Sequence, residues 1–200
     1  MQKIFLILLI VLLATPFTLK GQSADGNYRQ HRKWYVPDAA VIQYAGNMGM
    51  ISAGPGYDLA HEKIAIDLLF GYVPKFEATE IGRLITLKTS YKPFKIDLNN
   101  KYAVTPLQVG MGISYHFGDQ YSTSWEGAIP KGYYWWPTSW RVLGFAGASV
   151  TRTVNSNVIK DIKLYSEFGT YDLVVTAWYK DDKLRVWDIL SASVGIRARF

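Results

Sequence analysis

The chain contains no cysteine. That excludes a lipoprotein anchored through an N-terminal Cys, a disulfide scaffold, a thiol nucleophile and thiolate metal sites. Histidine is scarce as well. His31, His61 and His116 lie far apart in the sequence and give no readable metal-ligand spacing. No glycine-rich loop leads into a helix, so neither a nucleotide site nor any other cofactor is indicated. Long apolar runs are missing except at the start, where residues 4–14 are unbroken. Those eleven residues fall short of the roughly 20 that a bilayer-spanning helix needs. The excess of positive charge is mild, +6 in total. In an exported chain it argues for acidic lipid head groups or nothing, rather than nucleic acid.

The beginning of the chain reads as a leader. Met1 to Lys3 is basic, the apolar run follows, Pro16 breaks it, and Thr18 to Ser23 is polar. This tripartite form predicts a secretory signal peptide over residues 1–21, cleaved near Gly21 or Gln22. Lys3 and Lys20 leave with it, which takes two from the formal +6 and leaves +4. Residues 22–39, with Arg29, Arg32 and Lys33, are expected to form an N-terminal arm. What the chain has in plenty is aromatic: seven Trp and fourteen Tyr. These rings gather where hydrocarbon meets water. Mean hydropathy is zero. A membrane protein of that composition must be a β-barrel, whose lipid-facing and lumen-facing residues alternate and cancel in any average.

The last strand carries the strongest signal. Leu190, Ala192, Val194, Ile196 and Ala198 alternate with Ser191, Ser193, Gly195, Arg197 and Arg199, and the chain stops on Phe200. A period of two gives a strand one apolar and one polar face. The pattern resembles the C-terminal strand of bacterial outer-membrane β-barrels, which ends on Phe and is read by the barrel-assembly machinery. The resemblance implies an outer-membrane address, with Val194, Ile196 and Phe200 as the assembly signal. It also implies two partners, the assembly machinery and outer-membrane lipids.

The same alternation recurs at 41–52, 63–72, 84–91, 105–117, 162–168 and 171–179, and 140–151 reads as a small-residue strand of ambiguous facing. The predicted fold is therefore all-β: a transmembrane antiparallel up-and-down barrel of about eight strands over residues 40–200. The apolar faces end in Tyr72, Tyr91, Tyr115, Phe117, Tyr179 and Phe200, as an aromatic girdle would. The opposite faces are small or polar, which suits a narrow lumen. Asp67, Lys88, Lys163, Glu167 and Arg197 share the inward set, and enclosed charges must pair. One conflict arises. The longest connection, 118–139, follows the fourth predicted strand and so falls on the periplasmic side, where turns are normally short. Either a strand is miscounted or the loop is an exception. Gly169-Thr170 is the weakest boundary, because 162–179 also reads as one strand crossing a bulge.

Two stretches hold candidate chemistry. The 118–139 connection carries Trp125, Tyr133, Tyr134, Trp135 and Trp136 between prolines, a platform for a sugar or lipid head group or an interfacial anchor. Ser114 and His116 share the inward face of one strand, and Glu167 is inward on another. A hydroxyl, an imidazole and a carboxylate are the parts for acyl transfer. They partly resemble the outer-membrane lipid A deacylases, barrels with a His-x-Ser pair on one strand and a nearby Glu. Here the order is reversed and the pair points to the lumen, whereas those enzymes work at the lipid-facing wall. The reading is a structural or surface-binding outer-membrane barrel. The alternative is a membrane-embedded lipid A or phospholipid acyl hydrolase or transferase.

Overall fold

Alternating apolar and polar residues let a strand turn one row out and the other in. In the computed structural model, which describes residues 35–75, 81–118, 121, 139–154, 156, 158–180 and 184–200, this pattern yields nine strands. They are β1 (Ala39–Ala45), β2 (Ile51–Leu59), β3 (Ile64–Val73), β4 (Gly82–Tyr91), β5 (Ile96–Asp97), β6 (Tyr102–Phe117), β7 (Trp140–Thr153), β8 (Asp161–Tyr171) and β9 (Ser191–Arg199). β4 pairs directly with β6, and the two-residue β5 only extends the start of β6. β9 returns to β1, with Ala39 opposite Arg199 and Ala45 opposite Ser193. The result is a closed antiparallel up-and-down barrel of eight strands. Closure leaves no unpaired edge, so a chain without disulfides holds its sheet by joining it to itself.

Two expected strands are corrected, and the corrections cancel in the count. The first, 41–52, is two strands. Ala45, Gly46 and Gly49 take positive φ (58°, 75° and 99°), which turns the chain between β1 and β2. The segment 171–179 is not a strand beyond Tyr171. It is the helix α1 (Asp172–Lys180), with Asp172 in its first turn, where a carboxylate meets the positive end of the helix dipole. Val174 is half-buried and Trp178 buried. Four residues apart, they share one helical face. β8 itself runs through Gly169 and Thr170 without a break.

With the strands so placed, the loop conflict disappears. Ala39 and Arg199 mark one end of the barrel, the termini end. The 118–139 connection now follows the fifth barrel strand and joins β6 to β7 at the opposite, far end, as do the connections after β1, β3 and β8. The termini end carries the turns at 60–63, 92–101 and 154–160. Aromatics mark both rims. Tyr44, Tyr72, Tyr115, Phe117 and Trp140 point outward near the far end, with the Tyr115 ring 4.9 Å from Phe117 and 5.1 Å from Trp140. Tyr91, Tyr102 and Phe200 lie near the termini end. Tyr179, expected in the same girdle, is instead on α1.

The turn between β2 and β3 is strained. Ala60, His61 and Glu62 all take left-handed φ (50°, 56° and 67°), which costs a non-glycine residue about 1–2 kcal/mol. Glycine avoids that cost but adds about 0.5–1 kcal/mol of lost chain entropy. Ala60→Gly is therefore expected to stabilise the barrel by about 0.5–1 kcal/mol. A urea midpoint at or below that of the parent chain would contradict this.

Candidate functional site

Most barrel strands send their small or polar row inward, while β7 turns Leu143 and Phe145 in and Gly144 and Ala146 out, and these rows meet in a lumen filled in tiers. The middle tier is built on Lys88 of β4, 1% exposed. Its Nζ donates to Glu167 Oε2 at 2.6 Å and to Gln43 Oε1 at 3.0 Å. The rings of Phe145 and Tyr165 each lie 4.6 Å from that nitrogen. Gln108 Nε2 donates to Glu167 Oε1 at 2.8 Å, and Tyr165 Oη donates to Gln43 Oε1 at 3.0 Å. Strands β1, β7 and β8 thus converge on the ammonium carried by β4, and β6 joins the tier through Gln108. Gln108 reaches in because β6 shifts register between Thr105 and Gln108. A bulge of this kind lets both buried residues face the lumen although they are three apart.

Toward the termini end, Arg197 of β9 bridges two strands. Nη1 donates to Asp58 at 2.7 Å and Nε to Asp67 at 3.2 Å. Lys92 lies 3.5 Å from the other Asp58 oxygen. At the mouth, Arg199 Nε donates to Asp161 at 2.7 Å and the guanidinium also meets Glu62. The expected pairing of enclosed charges is thus present for Asp67, Lys88, Glu167 and Arg197. Lys163 instead lines the cavity at the termini end, as Lys92 does.

Toward the far end the lumen turns apolar, with Val41, Met48, Leu69, Leu143, Phe145 and Tyr165 in one buried cluster against Tyr171. Ser114 and Thr86 share a hydrogen bond of 2.6 Å between their hydroxyls. The His116 ring stands 5.2 Å from Tyr121 and 6.5 Å from Tyr171, and its Nε2 is buried with no hydrogen-bond partner among the described residues.

The sequence candidates therefore fall into separate surroundings. Ser114 faces inward against Thr86, Glu167 is taken up by Lys88 and Gln108, and His116 sits among the far-end tyrosines. Among the described residues, no hydrogen bond joins Ser114, His116 and Glu167. Trp125, Tyr133, Tyr134, Trp135 and Trp136 lie outside the described residues. So do the leader at 1–21 and the arm at 22–39 up to Trp34. Val194 and Ile196 face outward, opposite Tyr44 and Ile42 of β1. The Phe200 N–H donates to the Asp38 carbonyl at 2.9 Å, tying the last residue to the chain just before β1. Sequence reasoning missed Gln43, Asp58, Lys92 and Asp161 as lumen groups. A signal existed for Asp58, which follows Ser52, Gly54 and Gly56 on one face of β2.

Among the described residues, no three His, Asp or Glu side chains are placed to hold a metal ion. No protein-family model, curated protein or solved structure matches the chain.

Proposed function

We propose that the protein is an integral outer-membrane β-barrel with a structural or surface-binding role. One observation carries this reading: the barrel is inverted relative to a water-soluble one. Ile42, Phe70, Leu87, Met111, Leu164 and Ile196 stand outward and exposed, while Lys88, Glu167, Asp67 and Arg197 are buried inside. Burying charge while leaving large apolar side chains in water runs against the solvent preference of both. Hydrocarbon outside removes the contradiction. β2 to β4 and β6 to β9 have 9 to 16 residues, which meets the ~9–11 a tilted membrane strand requires.

An eight-stranded lumen is only wide enough to be filled by side chains, and here charged and aromatic groups fill it. That supports a plugged barrel over a conduit. The far-end connections, which carry Trp125 and Tyr133 to Trp136, are then the part that meets a partner outside the cell. The acyl-transfer alternative draws no support from the lumen, because the Ser114 hydroxyl and the Glu167 carboxylate already have partners.

Leu87→Arg separates the environments. Leu87 faces outward at mid-strand and is 49% exposed. In a bilayer an arginine there costs roughly 2–4 kcal/mol; on a water-facing wall it is near neutral. The parent chain should need detergent and run faster on gels unheated than boiled. The variant should insert poorly into lipid vesicles. A protein that stays soluble and monomeric without detergent, with Leu87→Arg harmless, overturns the membrane reading.

A further inference from the structure

The termini end opens into a cavity of about 150 Å³. Six of its lining residues are lysine or arginine and three are aspartate or glutamate. The acids are already committed: Asp58 holds Arg197, while Asp161 and Glu62 hold Arg199. Lys92 and Lys163 line the same cavity, where Lys92 lies 3.5 Å from Asp58. Lys95 and Lys63 extend the positive rim, and Lys95 lies 3.9 Å from the exposed Asp97. Two ammonium groups in a concave, partly dehydrated site repel strongly unless an anion lies between them.

The rim has a second character. Phe94 lines the cavity, and Phe94, Ile96 and Leu98 are each more than half exposed on the 92–101 connection. Residues facing outward on this turn form an apolar fringe beside a cationic hollow. The volume is several times the ~30 Å³ of a water molecule, enough for a phosphate group but not for a whole lipid. A charged hollow with an apolar lip fits a molecule of the same make-up.

We propose that the termini-end mouth binds the phosphate of an anionic phospholipid, held by Lys92, Lys95 and Lys163, with its acyl chains along Phe94, Ile96 and Leu98. This rests on the membrane reading given above. The phosphate offsets the excess of positive charge in the hollow, and the acyl chains cover the fringe.

The test is native mass spectrometry of the full chain released from detergent micelles containing phosphatidylglycerol or phosphatidylcholine. The expected result is a retained phosphatidylglycerol adduct, at least tenfold weaker with phosphatidylcholine and at least tenfold weaker in Lys95→Gln/Lys163→Gln. Phe94→Ser should weaken the lipid adduct without creating affinity for inorganic phosphate. Equal retention of both lipids, or a double variant that binds like the parent, overturns the proposal. So does displacement of the lipid by millimolar inorganic phosphate, which would mark a free-anion site. Unheated gel mobility is recorded on the same samples. A heat-modifiable barrel with no lipid preference sinks this proposal alone, whereas a chain that is soluble without detergent sinks the membrane reading as well.

Discussion

Lys88→Met should cost the barrel about 3–5 kcal/mol, the usual penalty for breaking a buried ion pair by removing one partner. Methionine fills much of the same space, so the loss is one of charge rather than of volume. The Glu167 carboxylate, 2% exposed, would keep one amide donor from Gln108 and lose its cation. The Gln43 carbonyl would lose its Lys88 donor, and the Phe145 and Tyr165 rings would lose the ammonium they flank. The barrel then has to admit water or protonate the acid, and either weakens the middle tier. Urea unfolding in lipid vesicles, followed by tryptophan fluorescence, reads the effect. Lys88→Met/Glu167→Gln should recover most of the stability, since no uncompensated charge remains. A double variant as unstable as the single would mean that packing around Lys88, not its charge, supports the lumen. A single variant with the parent midpoint would remove the middle tier as a source of stability.

The parts of this fold legible in the sequence are those where one face repeats without interruption. Segments 63–72, 107–117 and 191–200 alternate over ten or more positions, and a one-residue slip there would turn the outward apolar row into the lumen. The errors occur where a local pattern satisfies two structures at once. Residues 171–179 alternate like a strand, yet Val174 and Trp178 also sit four apart, and packing at the barrel's far end decides for the helix. Gly46 and Gly49 read as glycines within a strand because nothing in one sequence states that φ is positive there. The lumen groups were legible as an inward set, but their partners were not. Asp67 and Lys88 stand directly opposite each other across β3 and β4, which predicts a cross-strand pair. The ions instead reach over the lumen, Lys88 to Glu167 on β8 and Asp67 to Arg197 on β9. Such choices depend on the diameter and closure of the barrel, which no single strand encodes. Ser114 does bond its register neighbour Thr86, the short-range case in which strand pairing alone suffices.

Glycines on β6 and β7 offer a graded test of how tightly the lumen is closed. A Cβ added at Gly110 would stand 2.2 Å from the Thr89 carbonyl oxygen and 2.3 Å from Phe145 Cζ. One of these is backbone of the adjacent strand and the other a buried ring beside Lys88, so neither can yield without disturbing the β4–β6 ladder or the middle tier. Overpacking of this kind costs about 1–3 kcal/mol and more where backbone must shift, and Gly110→Ala is expected at the upper end of that range or to prevent assembly. At Gly112 the nearest atoms, in Leu143 and the Leu87 carbonyl, are both 3.1 Å away. A few tenths of an ångström of movement relieve this, so Gly112→Ala should cost under about 1.5 kcal/mol. At Gly144 nothing lies within 4 Å, and Gly144→Ala should be neutral to within about 0.5 kcal/mol. Phe145→Leu in the Gly110→Ala background should recover only part of the loss, because the Thr89 oxygen remains. The order of the three unfolding midpoints is the measurement. If Gly110→Ala assembles and unfolds like Gly144→Ala, the wall between β4, β6 and β7 has room that the side-chain packing around Lys88 does not allow. The lumen would then be looser than a plugged barrel requires.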